Sequence, residues 1–154
     1  MLQNMIGLPT GTIRDDLSTL ELNIKCKPDY AWVSIFQPYP GTVLGDYCKK
    51  EGLYAGDFSD IGESFYNGSL LNFDNNYKNQ LINLQRVFAY VVEHPELYPK
   101  GVKTMIDMKN QKKRFDEIYK KTREKADERL YGFNLSPKKN IIADTIYDEW
   151  RENG

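Results

Sequence analysis

Apolar residues open the chain as two short, nearly continuous runs with a helically spaced segment between them. The first run, Leu2-Gln3-Asn4-Met5-Ile6, predicts a short strand. Gly7 and Pro9 end it, because glycine permits unusual backbone angles and proline cannot donate to a ladder. Ile13, Leu17, Leu20 and Ile24 then recur at i, i+4, i+7 and i+11, which is one face of a helix. Thr12 is the candidate N-cap. Asp15 and Asp16 suit the positive helix end, Lys25 and Lys27 the negative one, and Pro28 stops the helix. Residues 30–36 form the second run, a β-branched and aromatic stretch of the kind found in buried parallel strands. A strand–helix–strand unit of this length is parallel, with a right-handed crossover. Any ligand edge therefore lies where the two strands end, at the Gly7–Pro9 and Pro38–Gly41 turns.

Downstream the pattern becomes helical. Thr42 caps a predicted helix over 43–50, with Val43, Leu44, Tyr47 and Cys48 on its inner face. Residues 52–75 are rich in Gly, Asp, Asn and Ser and read as irregular, with a short extended piece around 70–73. Asp74 or Asn75 caps a helix over 76–93, whose core stripe is Leu81, Leu84, Phe88 and Val91. His94-Pro95 interrupts it, and a second helical piece runs over 96–108. Residues 110–131 predict a charged helix with a thin stripe of Phe115, Ile118, Tyr119, Ala126 and Leu130. Ser136-Pro137 starts a last helix, with Ile142, Ile146 and Trp150 as its buried face. The fold class is α/β: two parallel strands followed by a mainly α-helical region. The chain divides into an α/β part at 1–54, a connecting loop at 55–75 and a helical region at 76–154.

Composition narrows the function classes. The net charge of −1 on 154 residues gives no global pull toward nucleic acid or membrane. Charge is uneven, however: acids dominate before residue 76 and bases after it. The 110–131 helix interleaves acids with its lysines and arginines, so a solvated face with i,i+4 pairs is expected rather than a nucleic-acid surface. Cys26 and Cys48 form no Cys-x-x-Cys pair and, with the single His94, cannot build a four-ligand metal site. Both are expected to be small buried residues in a reduced, cytoplasmic protein. His94 is expected as a helix-end histidine. Asp57, Asp60 and Glu63 lack the spacing of a calcium loop. No run approaches the ~20 apolar residues of a membrane span. The first strand is too apolar to stand without neighbours, and few strands follow. The chain is therefore expected to be the C-terminal part of a larger protein or a truncated reading frame.

Two turns carry a family resemblance. Ile6-Gly7-Leu8-Pro9, the helix with Asp15-Asp16, and Phe36-Gln37-Pro38-Tyr39-Pro40-Gly41-Thr42 followed by Lys49-Lys50-Glu51-Gly52 resemble the radical SAM superfamily. The nearest group in it often carries an N-terminal cobalamin-binding domain. The resemblance covers roughly residues 2–54. It implies that the chain is the C-terminal fragment of a partial (β/α)6 barrel, holding its last two strands. The intact parent would cleave S-adenosylmethionine reductively at a 4Fe-4S cluster to make a 5′-deoxyadenosyl radical, with cobalamin as a further cofactor. This chain would supply part of the adenosine and substrate wall. Carried over residue by residue, Gly7, Leu8, Pro9, Phe36, Gln37 and Pro38 are the implied cofactor-binding positions, and Tyr39 is expected to pack. The partners implied are the missing N-terminal half of the barrel, the small-molecule cofactor and a substrate. Two departures stand out. The family's acidic position after the proline is Gly11 here, and the Cys-x3-Cys-x2-Cys loop that holds the cluster is absent. The chain alone is therefore expected to be inactive. The alternative is a non-catalytic α/β-helical interaction module, or half of a split enzyme.

Overall fold

The computed structural model describes residues 1–57, 61 and 68–132. The expected pieces at Asp60, Glu63 and the 136–150 helix lie outside the described residues. The order of elements is β1 (Leu2–Ile6), α1 (Ile13–Cys26), β2 (Ala31–Ile35), α2 (Val43–Lys50), α3 (Asn75–Glu93), α4 (Lys100–Asp107) and α5 (Lys112–Tyr131). The described fold is thus mixed α/β and mostly helical, with a two-stranded parallel sheet and five α-helices.

The two strands run parallel in the register Leu2↔Ala31 through Ile6↔Ile35. Leu2 N–H donates to the Tyr30 carbonyl and Phe36 N–H to the Ile6 carbonyl. In a parallel ladder this places the backbone groups of Leu2, Asn4 and Ile6 toward β2, and those of Gln3 and Met5 toward the opposite edge. Helix α1 is tied to β1 by a reciprocal amide pair. Asn4 Nδ2 donates to Asn23 Oδ1 at 3.1 Å, and Asn23 Nδ2 donates to Asn4 Oδ1 at 2.8 Å. Lys27 closes α1 in the left-handed region, its N–H on the Asn23 carbonyl at 3.0 Å.

The element that organises the packing is α3. Asp74 caps it, accepting from the Tyr77 N–H at 2.9 Å. Leu81, Leu84, Val87, Phe88 and Val91 are fully buried, and the cluster they anchor also takes in Ile6, Leu20, Val33, Ile35, Val102, Ile106 and Phe115. So α3 touches β2, α1, α4 and α5 at once. Its polar residues are buried because each finds a carbonyl. Asn83 Nδ2 donates to the Ile106 and Met108 carbonyls at 2.9 and 2.8 Å, closing the end of α4. Gln85 Nε2 reaches the Val33 carbonyl at 3.4 Å, on the side of β2 that faces away from β1.

The helical piece expected over 96–108 is broken. Pro95–Leu97 forms a 3-10 turn, and α4 begins only at Lys100, after Pro99. Two prolines four residues apart remove the N–H groups a continuous helix needs. The extended piece around 70–73 is not a strand. Leu71 is instead buried with Phe36, Cys48 and Tyr54 in a second, smaller cluster. In α5, Phe115 and Ala126 are buried as expected, and Thr122 joins them. The expected i,i+4 pairs appear as Lys120–Glu124 at 3.9 Å and Arg123–Asp127 at 3.0 Å.

Candidate functional site

Both turns singled out in the sequence lie at one edge, because β1 and β2 are parallel and in register. Gly7 follows β1 with φ +68°, a conformation that favours glycine. A Cβ built there would sit 3.0 Å from Leu81 Cδ1 and 3.6 Å from Ile35 Cγ2. Gly7 therefore serves two ends, the left-handed turn and the close approach of α3.

The Gly7 N–H donates to Asp16 Oδ1 at 2.9 Å, and the Tyr77 hydroxyl donates to Asp16 Oδ2 at 2.6 Å. Asp16 is only 5% exposed. One carboxylate thus joins the end of β1, the first turn of α1 and the first turn of α3. Burial holds the Asp16 carboxyl above the ordinary carboxylate range, against the two hydrogen bonds that favour its charge. Burial and the Asp16 hydrogen bond together push the Tyr77 phenol upward, so it stays a donor. Asp15 behaves oppositely. It is exposed, accepts from the Thr12 N–H at 2.9 Å and its hydroxyl at 2.7 Å, and is held below its ordinary value by those bonds.

By type alone Asp15 and Asp16 both suit the positive end of α1, but their positions on the helix separate them. Asp16 stands three residues after Ile13 and four before Leu20, on the buried face, and Tyr77 stands four before Leu81 on the stripe of α3.

The six implied contact positions divide. Gly7, Phe36, Gln37 and Pro38 are buried, Pro9 is half-buried and Leu8 is exposed. The Phe36 side chain packs with Cys48, Tyr54 and Leu71. Gln37 Nε2 donates to the Gly68 carbonyl at 2.9 Å, so its amide holds the segment after the loop. Of the six only Leu8 adds exposed apolar surface; the rest of that surface comes from Tyr39, Val43, Leu44 and Tyr47, with Val43 87% exposed. This corrects the expected inner face of α2. Only Cys48 of that set is buried, because α2 rests on the small Phe36 cluster alone. Tyr39, expected to pack, is half exposed as well. Helix α2 is nonetheless well started: the Gly45 N–H donates to Thr42 Oγ1 at 3.1 Å, and that hydroxyl donates to the Tyr39 carbonyl at 2.7 Å.

The remaining candidates resolve simply. Cys48 is fully buried, and burial raises its thiol pKa. Cys26, expected buried, is exposed at the last position of α1. His94 caps the end of α3, its N–H on the Tyr90 carbonyl at 3.0 Å and its ring 4.4 Å from the Tyr90 ring. Among the described residues no three His, Cys, Asp or Glu side chains gather as metal ligands, and no helix is long and apolar enough to cross a membrane.

The raised Asp16 carboxyl gives a signed pH prediction. Its folded value lies above its unfolded one, so the folded chain keeps a proton that the unfolded chain has released. The stability tied to Asp16 is full below the ordinary carboxylate range and is lost as pH rises through the folded value. In urea titrations across that range, Asp16→Asn is expected to gain stability relative to the parent as pH rises. Parallel curves for the two chains would show that Asp16 ionises normally.

No family model matches the chain, and no curated protein or solved structure matches it.

Proposed function

We propose that this chain is the C-terminal part of a radical SAM enzyme, the last two strands of a partial (β/α)6 barrel with a helical cap. The observation that carries the proposal is the convergence of the two resembling turns. The Gly7-Leu8-Pro9 and Phe36-Gln37-Pro38 strand ends stand side by side on one parallel edge. Parallel α/β barrels place their active sites at such C-terminal strand ends. Supporting it, no strand among the described residues pairs with the far side of β1, as for a strand of a larger sheet.

S-adenosylmethionine, when bound by the intact parent, is the source of the 5′-deoxyadenosyl radical. Within this chain the wall toward it is formed by the exposed Leu8 and the half-buried Pro9. Tyr39, Leu44 and Tyr47, which follow the end of β2, are further exposed apolar and aromatic side chains. Gly7, Phe36, Gln37 and Pro38 shape that wall from behind, through the Asp16 bond, the Phe36 cluster and the Gly68 carbonyl. A 4Fe-4S cluster does not fit this chain. Cys48 is buried in an apolar cluster and Cys26 is exposed on a different helix, so they cannot converge on one iron site. The cluster, and any cobalamin, belong to the missing half.

A second reading is a self-contained α/β-helical interaction module. The closed core around α3, which draws on every element except α2, favours it.

Co-purification tests the first reading. The chain, expressed with a cluster-bearing N-terminal barrel half, is expected to form a complex that converts S-adenosylmethionine to 5′-deoxyadenosine under reducing conditions. Neither piece alone is expected to do so. A complex that fails to form, or forms without turnover, would remove the reading.

A further inference from the structure

A cleft of about 410 Å³ lies at the other end of β2, where that strand begins. Its size is within the range of small-molecule sites. Residues near the ends of α1, α3 and α5 line it, together with the loop before β2. Ile24 and Val92 bring apolar surface of the main core to it. Four charged side chains stand around them, Lys27, Asp29, Glu93 and Arg129, so the charges of the cleft sum to zero.

Two of the four are already matched. Glu93 and Arg129 form an ion pair, and Arg129 Nη2 also donates to the Asp29 carbonyl at 2.9 Å. Lys27 and Asp29 differ. Among the described residues neither side chain has an ion-pair partner, and they do not pair with each other. The left-handed closure at Lys27 and the fixed ring of Pro28 set the backbone between them. The cleft therefore offers one unmatched cation and one unmatched anion, held apart beside an apolar surface.

We infer that this cleft binds a small amino acid with an apolar side chain, as the zwitterion. The ligand carboxylate pairs with Lys27, its ammonium with Asp29, and its side chain lies on Ile24 and Val92. A ligand with a single charge leaves one of the two groups unmatched. Lys27 is exposed and Asp29 half-buried. Pairs of that kind contribute at most about fivefold each to affinity, so binding is weak, with a dissociation constant on the order of millimolar. Because the cleft lies at the opposite end of β2 from the Gly7–Pro9 edge, occupancy here goes beyond the proposed function and is independent of it.

Proton–nitrogen correlation spectra of the full chain, titrated with L-leucine at neutral pH, test this. Saturable shifts are expected at the Lys27, Asp29 and Glu93 amides in the millimolar range. Two analogues each remove one charge: 4-methylpentanoate lacks the ammonium and 3-methylbutylamine lacks the carboxylate. Each is expected to bind about fivefold more weakly than leucine. Lys27→Met is expected to weaken leucine about fivefold and leave 3-methylbutylamine unchanged. Asp29→Asn is expected to weaken leucine similarly and leave 4-methylpentanoate unchanged. Neither side chain is fully buried, and unmoved resonances in the core show that both variants keep the fold. Absence of saturable shifts at the cleft, analogues that bind as well as leucine, or leucine affinity unmoved by both variants would each overturn the inference.

Discussion

Phe88→Ala is expected to cost about 3–5 kcal/mol of folding stability, the range for emptying a fully buried aromatic position. Phe88 is completely buried at the middle of α3. The cluster it belongs to holds the residues by which β1, β2, α1, α4 and α5 meet α3, including Ile6, Val33, Leu20, Ile106 and Phe115. A loss of that size is a large part of the whole for a domain of ordinary stability, so the variant is expected to unfold well below the parent's temperature. Equilibrium urea unfolding by circular dichroism and by tryptophan fluorescence checks it. Coincident transitions, both shifted down, are expected. If the variant loses less than about 1 kcal/mol, the site has collapsed around the smaller residue, and α3 is less central than its burial implies.

Gly7→Val is the second large effect, and it bears on the candidate site. Gly7 has φ +68°, and a side chain there meets Leu81 Cδ1 at 3.0 Å. Left-handed backbone costs an ordinary residue roughly 1–2 kcal/mol, and overpacking a filled core costs about 1–3 kcal/mol more. A total of about 2–5 kcal/mol is therefore expected. The loss has a local signature, because the Gly7 N–H is one of the two donors holding the buried Asp16 carboxylate. Displacing the turn leaves that carboxylate short of a partner, and buried unpaired polar groups are costly. The Tyr77 environment is expected to change with it, seen as a shift of its ring resonances. Wild-type stability with unmoved Tyr77 resonances would mean that the turn is not fixed by these contacts.

Much of the architecture was legible in the sequence, and the reason is periodicity. The strands fall where the two short runs bounded by Gly and Pro put them, and α1 and the stripe of α3 where i, i+4, i+7 spacing does, because helical burial dictates that spacing. Three things escaped. Val43, Leu44 and Tyr47 carry a helical apolar pattern, yet α2 meets only the small cluster around Phe36. A pattern states which face is apolar; it does not state that a partner exists to cover it. Pro95 and Pro99 divided a stretch that composition alone allowed as one helix. The buried polar links, Asp16 with Tyr77 and Asn4 with Asn23, join residues 61 and 19 positions apart. Short polar side chains carry no periodic mark of their own, and their burial is visible only once the apolar faces around them are aligned.

The candidate site shows the same division. The turns at Gly7–Pro9 and Pro38–Gly41 were placed by glycine and proline chemistry, and the parallel register brings them together. The roles inside them were not legible. Gln37 is spent on the Gly68 carbonyl and Phe36 on the small cluster, which leaves Leu8 and Tyr39 as exposed members of the edge.

The most direct test of the central claim is the coding sequence upstream of the Met1 codon. If the chain is the C-terminal part of a radical SAM enzyme, a reading frame there, continuous with this one or encoded close by, contains a Cys-x3-Cys-x2-Cys loop followed by the earlier strands of the barrel. A stop codon and ribosome-binding site directly before Met1, with no cysteine-loop frame nearby, would contradict the claim and leave the interaction module in its place.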